Sequence, residues 1–230
     1  MNAYEILLKG HEEVAAGTLA FRFTRPPGFA FEPGQSVTLS LIEPPAEPNS
    51  KQRIFSLVSA PFEAELAIAT RMREGSAFKR ALHSLEPGAK LTLKGPRGVM
   101  TLHEDHRRSA VFIAGGIGIT PFMSMLRQAA HDRLEQRLFL MCSNRRQEDT
   151  PFLAELRALV SHNDNFRLLA RMTDRDGFID AGAIRDFAGG APSPVYYLAG
   201  PPAMVNAMKA VLRDAGVGGA DVRSEQFYGY

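Results

Sequence analysis

A chain of 230 residues that is 45% hydrophobic and 23% charged can bury one large core or two ordinary ones, and that balance excludes a disordered or fibrous protein. The formal net charge of +2, spread over 27 basic and 25 acidic residues, excludes the clustered basic surface that nucleic acid requires. The single cysteine, Cys142, excludes an intrachain disulfide framework and a four-cysteine zinc or iron–sulfur site, and it is expected to pack as a small apolar residue.

The first residues, "MNAYEILLKGHEEVA", put Glu5 and Lys9 where a signal peptide would be apolar, which points to a cytoplasmic protein. From Tyr4 to about Leu102 short alternating segments follow, such as "TLAFRFTR", "QSVTLSLI", "RIFSLVS", "ELAIATRMR" and "AKLTLKG", divided by Pro and Gly turns. One helix interrupts them, "SAFKRALHSL", with Phe78, Leu82 and Leu85 on one face. The pattern predicts an antiparallel Greek-key β-barrel with one helix over residues 1–104. Within it, alternation sends Arg53 and Phe55 to one face and Ile54 and Ser56 to the other. That pair suits an anion beside a flat ring, or is simply a surface arginine beside a half-buried phenylalanine. Arg71, Arg73, Lys79 and Arg80 crowd the start of the helix, where Ser76 is an N-cap candidate. A phosphate site and a solvated charged face are both open readings.

The polar "HEDHRRS" marks the change to a second half, residues 105–230; His103 and His106 there read as a solvated turn, and no histidine shows metal-ligand spacing, so no metal is expected. Apolar strands ("AVFIAG", "RLFLMCSN", "FRLLARMT", "VYYLAG") then alternate with helical stretches, which predicts an α/β parallel-sheet nucleotide-binding domain. The most apolar run, "VFIAGGIGITPFMSML", is shorter than the roughly 20 residues of a membrane span and carries Gly115, Gly116, Gly118 and Pro121. Thr120 reads as an N-cap and Pro121 as the first helical residue, so the glycines either cradle a pyrophosphate or permit close strand–helix packing. "GGIGITP" is not the G-x-G-x-x-G fingerprint. Two phosphate-suited places suggest two nucleotide-like ligands.

The ordered set "FEPGQSVTL", "RIFSLVSAP", "EPGAKLTLKGPRG", "AGGIGITPFMSML", "CSNRRQEDTPFLAEL", "YYLAGPPAMV" and "EQFYGY" resembles the ferredoxin–NADP reductase-like flavoproteins over essentially the whole chain. The resemblance implies that Arg53 pairs with a flavin phosphate, Phe55 packs on the isoalloxazine in place of the family's tyrosine, and Ser56 lies near the flavin N5 as a catalytic residue. It adds Ile54, Thr70, Arg71, Met72, Ser76, Ala77, Phe78 and Lys79 to the flavin side, with Phe78 standing where relatives carry a serine. For the dinucleotide it implies Gly115, Gly116, Gly118, Thr120, Pro121, Asn144 and Arg145, with Gly200, Pro201 and Pro202 toward the nicotinamide. Ala199 replaces a cysteine common in relatives, and Phe227, in a Glu-x-Phe pattern with Glu225, would shield the flavin as a second catalytic position, a role Tyr228 or Tyr230 could share. The implied activity is that of an NAD(P)H-dependent oxidoreductase that passes hydride to bound FAD, FMN being open, and then electrons to a separate acceptor such as ferredoxin, flavodoxin or another redox partner. A free-flavin reductase and a non-catalytic nucleotide-binding subunit are the alternatives. Arg145 and Arg146 either read a 2′-phosphate, giving a lean to NADPH, or are solvated loop charges. A monomer or weak dimer without a membrane span is expected.

Overall fold

The computed structural model describes residues 2–47 and 50–228. Contacts divide the chain into two compact units, Met1–Thr101 with Thr120–Gln128, and Leu102–Ile119 with Ala129–Tyr230.

The first unit is built on β1 (Ala3–Ala15), β2 (Thr18–Thr24), β3 (Ser36–Leu41), β4 (Gln52–Ser56), β5 (Glu65–Arg71) and β6 (Lys90–Arg97). These lie in the order β4-β3-β6-β1-β2-β5, every neighbouring pair antiparallel. An antiparallel bridge between Leu57, just beyond β4, and Ile68 of β5 joins the two outer strands and brings the sheet round toward closure. The apolar members of each alternation, among them Ile6, Leu8, Phe21, Phe23, Leu39, Leu66, Ile68 and Leu91, meet inside. Helix α1 (Ala77–His83) plugs this core with Phe78 and Leu82, while Leu85 packs against it from beyond the helix end. The Ser76 side chain accepts the Lys79 N–H, the cap the sequence predicted.

Helix α2 (Thr120–His131) makes several of its bonds with the barrel loop: Ser124 Oγ donates to the Ser59 carbonyl at 2.7 Å, and Arg127 Nη1 lies 3.4 Å from the Glu63 carboxylate. The Phe62 N–H also reaches Gln128 Oε1.

In the second unit β7 (Ala110–Gly115), β8 (Leu138–Asn144), β9 (Phe166–Met172), β10 (Val195–Gly200) and β11 (Val222–Gln226) form a parallel sheet of order β11-β10-β7-β8-β9. β7 and β10 are buried at every position, which is why their sequences run apolar without alternating. The remaining helices are α3 (Leu153–His162), α4 (Thr173–Asp176), α5 (Ala181–Ala188) and α6 (Pro202–Asp214). α6 places Val205, Met208 and Leu212 on the sheet core, and α5 adds Ile184 and Ala188. No helix of the described residues is long and apolar enough to cross a membrane.

His103 departs from the solvated turn expected of "HEDH"; it is buried, and only His106 is exposed. Its backbone N–H donates to the Tyr197 hydroxyl at 2.9 Å, and its Nδ1 lies 2.8 Å from the same oxygen. Nε2 faces the Arg108 carbonyl and the Gln136 amide. A polar residue flanking a sheet is drawn inward when a buried tyrosine hydroxyl needs a partner. Burial, aided by Arg108 and Arg223 and opposed by the Arg108 carbonyl and Asp105, holds the imidazole pKa below its usual value. The folded chain therefore takes up this proton less readily than the unfolded one, so stability falls as the pH drops below about 6.5. Urea midpoints at pH 7.5 and 5.5 are expected to show that loss, and His103→Asn to reduce it; an unchanged slope in the variant would assign the loss to other groups.

Candidate functional site

Strand β4 pairs Arg53 with Leu39, Ile54 with Thr38, Phe55 with Val37 and Ser56 with Ser36. Phe55 is 9% exposed, its ring 5.9 Å from that of Phe78 in the barrel core, whereas Ile54 on the other face is 56% exposed. Ser56 is buried despite sharing Ile54's side of the alternation, because the chain passes there into the Leu57–Ile68 bridge between the outer strands. The Arg53 guanidinium carbon stands 5.8 Å from the centre of the Phe78 ring. Phe78 itself offers no exposed surface.

Lys79 donates to the Arg71 carbonyl at 2.9 Å. Burial first, then the charges of Arg73 and Arg53, lower its ammonium pKa to about 8. A phosphate placed beside Lys79 would offset the charges of Arg73 and Arg53 and favour its ammonium form. Arg53, Arg71, Ser76, Phe78 and Lys79 thus gather around the start of α1, while Thr70 and Ala77 are buried and Met72 packs against the barrel core.

In the second unit, β7 is flanked by β8 on one side and β10 on the other, so strand order reverses at β7 and β10. Ligands of open parallel sheets bind outside the carboxyl ends at such a point. There Gly116 turns with φ +55°, and a Cβ on it would meet nothing within 4 Å. A Cβ on Gly118 would run into the Ala199 carbonyl and come 2.6 Å from Gly200 Cα. A Cβ on Gly200, at φ +149°, would come 2.6 Å from the Met204 methyl and 2.9 Å from the Gly115 carbonyl oxygen. Packing therefore explains Gly118 and Gly200, and open space is left at Gly116. Thr120 is not a free-standing N-cap: a 3-10 turn over Gly116–Ile119 runs straight into α2, because the left-handed Gly116 starts helical winding at the strand end. Thr120 and Pro121 are buried in that run. Pro201 caps α6 and Pro202 opens it, beside Gly200.

Asn144 ends β8, next to the Ser143 that pairs with Gly115. It is 6% exposed, and neither its Oδ1 nor its Nδ2 has a partner among the described residues. Such a group is rare in a folded protein and is available to hydrogen-bond a bound molecule. Arg145, beside it, accepts the Asp174 N–H with its carbonyl, and its guanidinium has no partner among the described residues. Arg146 instead pairs with Glu148 and Asp174.

Phe178 belongs to no sequence pattern, although "DGF" places an aromatic after the left-handed Gly177. It is 79% exposed on a turn that Arg171 fixes by donating Nε to the Asp176 carbonyl at 3.0 Å. At the terminal strand Phe227 donates its N–H to the Gly200 carbonyl at 2.9 Å, Glu225 pairs with the buried Ala199, and Tyr228 is 79% exposed. Tyr230 lies outside the described residues. Cys142 is buried, which pushes its thiol up to about 12 and leaves it unreactive.

A family model described as the oxidoreductase NAD-binding domain matches residues 112–210. Ferredoxin–NADP reductase B of Sorangium cellulosum is 32% identical over 223 residues, which cover 91% of this chain and 90% of that protein. The chain belongs to the ferredoxin–NADP reductase-like flavoproteins. As a member it is a flavin-dependent NAD(P)H oxidoreductase with FAD and NAD(P)H as cofactors. The toluate 1,2-dioxygenase electron transfer component of Pseudomonas putida is 30% identical over 207 residues, and the chain spans 59% of its length. The crystal structure of a ferredoxin NADP+ reductase from Neisseria gonorrhoeae with bound FAD and NADP overlays with a TM-score of 0.81 at 20% identity, covering 97% of this flavoprotein and 98% of that chain. The lowered Lys79 ammonium among basic neighbours at α1, the Asn144 amide without a partner among the described residues and the open space at Gly116 fit a phosphate-bearing flavin and a dinucleotide.

Proposed function

We propose that this flavoprotein oxidises NADPH and delivers the electrons to a separate small redox protein of the ferredoxin or flavodoxin kind. When bound, flavin and nicotinamide supply the hydride transfer and the release of single electrons. The chain's own residues bind and orient. Arg53, Lys79 and the Ser76 turn hold the flavin phosphate, the exposed Ile54 lies along the ring system with Phe55 behind it in the barrel core, and Ser56 offers a hydroxyl nearby. Gly116 lets the dinucleotide backbone approach, Asn144 binds it by hydrogen bonds, and the unpartnered Arg145 reads a 2′-phosphate.

The observation that carries this reading is the buried, unpartnered Asn144 amide at the carboxyl edge of the parallel sheet. The names of the similar proteins, a ferredoxin–NADP reductase and a dioxygenase electron transfer component, support an acceptor protein as the destination. The core placement of Phe55 and Phe78 leaves few ring contacts for holding flavin and favours one alternative, a reductase of freely diffusing flavin.

The experiment is the visible spectrum of the desalted protein before and after anaerobic NADPH or NADH. Flavin bands bleached faster by NADPH are expected, with Arg145→Ala weakening NADPH roughly tenfold and leaving NADH unchanged. A colourless protein that reduces added flavin would establish the diffusing-flavin alternative, and indifference of Arg145→Ala to the 2′-phosphate would remove that assignment.

A second outcome concerns Lys79. Its ammonium loses its proton near 8 in the flavin-free protein rather than at 10.5. A phosphate beside it restores the charged form, so FAD binding at about pH 9 is expected to take up a proton. Calorimetry in two buffers of different ionisation enthalpy measures this, and Lys79→Met is expected to abolish it; uptake that survives in the variant would place the titrating group elsewhere.

A further inference from the structure

The barrel brings together two histidines that lie far apart in the sequence. His11, on β1, and His83, in the last turn of α1, are both exposed, and their ring centres stand 4.9 Å apart with the planes inclined at 59°. His11 also rests on the fully buried Phe21, 5.4 Å between ring centres, which limits its freedom. Neither imidazole has a hydrogen-bond partner among the described residues.

An imidazole nitrogen binds zinc at about 2.0–2.1 Å, which puts the ion roughly 3.2 Å from the ring centre. Two imidazoles at neighbouring corners of a tetrahedral or octahedral ion then have centres about 4.5–5.2 Å apart. The observed spacing falls inside that interval. We propose that His11 and His83 form a binding site for a borderline divalent transition ion, with zinc and nickel as the expected occupants and water completing the shell. No group of three or more His, Cys, Asp or Glu side chains that could hold a metal exists among the described residues, so the site is exchangeable. Two nitrogen donors without a carboxylate favour these ions over calcium and magnesium, which demand oxygen. The bound ion cross-links β1 to the end of α1 and stabilises the native barrel by mass action. This site is independent of the flavin and dinucleotide assignments.

The test is calorimetric titration of the untagged holoprotein with nickel, zinc and, as control, calcium, together with thermal midpoints. One nickel or zinc ion per chain is expected to bind below roughly 1 mM and to raise the midpoint, while calcium does neither. His11→Gln and His83→Gln should each weaken binding at least about tenfold without changing flavin content, since both side chains are exposed. No binding in that range, or undiminished binding in either variant, would overturn the proposal.

Discussion

Asn144→Leu is expected to yield a protein that is more stable than its parent and binds NAD(P)H more weakly. The Asn144 amide is buried with both polar atoms unpartnered, so in the free protein it carries a desolvation cost of about 1–3 kcal/mol. Leucine has a similar volume and no polar atom to leave unsatisfied, so the thermal midpoint should rise by several degrees. The bound dinucleotide loses its hydrogen bonds to the amide, and KM for NAD(P)H should increase about 10- to 100-fold, since each 1.4 kcal/mol is tenfold. Flavin content should not change. A more stable variant with the parental KM would show that the ligand does not use this amide; a less stable one would show that the amide is satisfied within the fold.

The second large effect separates two glycines that look equivalent in "GGIGITP". Gly118→Ala places a methyl against the backbone of Ala199 and Gly200, which cannot rotate away as a side chain could. The ends of β7 and β10 must part, and a loss of about 3 kcal/mol or more is expected, seen as a midpoint lowered by some ten degrees or as failure to fold. Gly116→Ala meets no neighbour and suffers only the left-handed backbone strain of about 1–2 kcal/mol. It should fold and retain flavin while its methyl obstructs the dinucleotide. Equal stability losses in the two variants, measured by urea unfolding, would contradict the close approach at Gly118.

Strand and helix periods made both halves legible before any coordinates: the alternation of β1 and β2, the unbroken apolar runs of β7 and β10, and the Phe78–Leu82 stripe of α1 all reappear in the structure. What stayed hidden depends on register between distant segments. Ser56 was assigned a face but is covered by a bridge formed one residue later. His103 looked solvated because its partner, Tyr197, lies on a strand near the other end of the chain. Thr120 has the composition of a cap, yet a left-handed glycine upstream moved the helical start. In the site, residue types pointed to Arg53, Lys79 and Gly116 and the family resemblance added Asn144, but only burial distinguished the orphaned Asn144 from a solvated amide, and only backbone proximity separated Gly118 from Gly116.

Helix α2 follows the glycine turn of the α/β unit, yet Ser124, Arg127 and Gln128 bond to Ser59, Val58, Glu63 and Phe62 of the barrel loop. Anyone dissecting the protein into two expressible pieces, or exchanging halves with a relative, meets this helix as an obstacle. A cut in the linker near residue 104 strands α2 with the wrong fragment and leaves its serine and arginine without their partners. A chimera that keeps residues 58–63 and 120–128 from the same parent preserves those bonds.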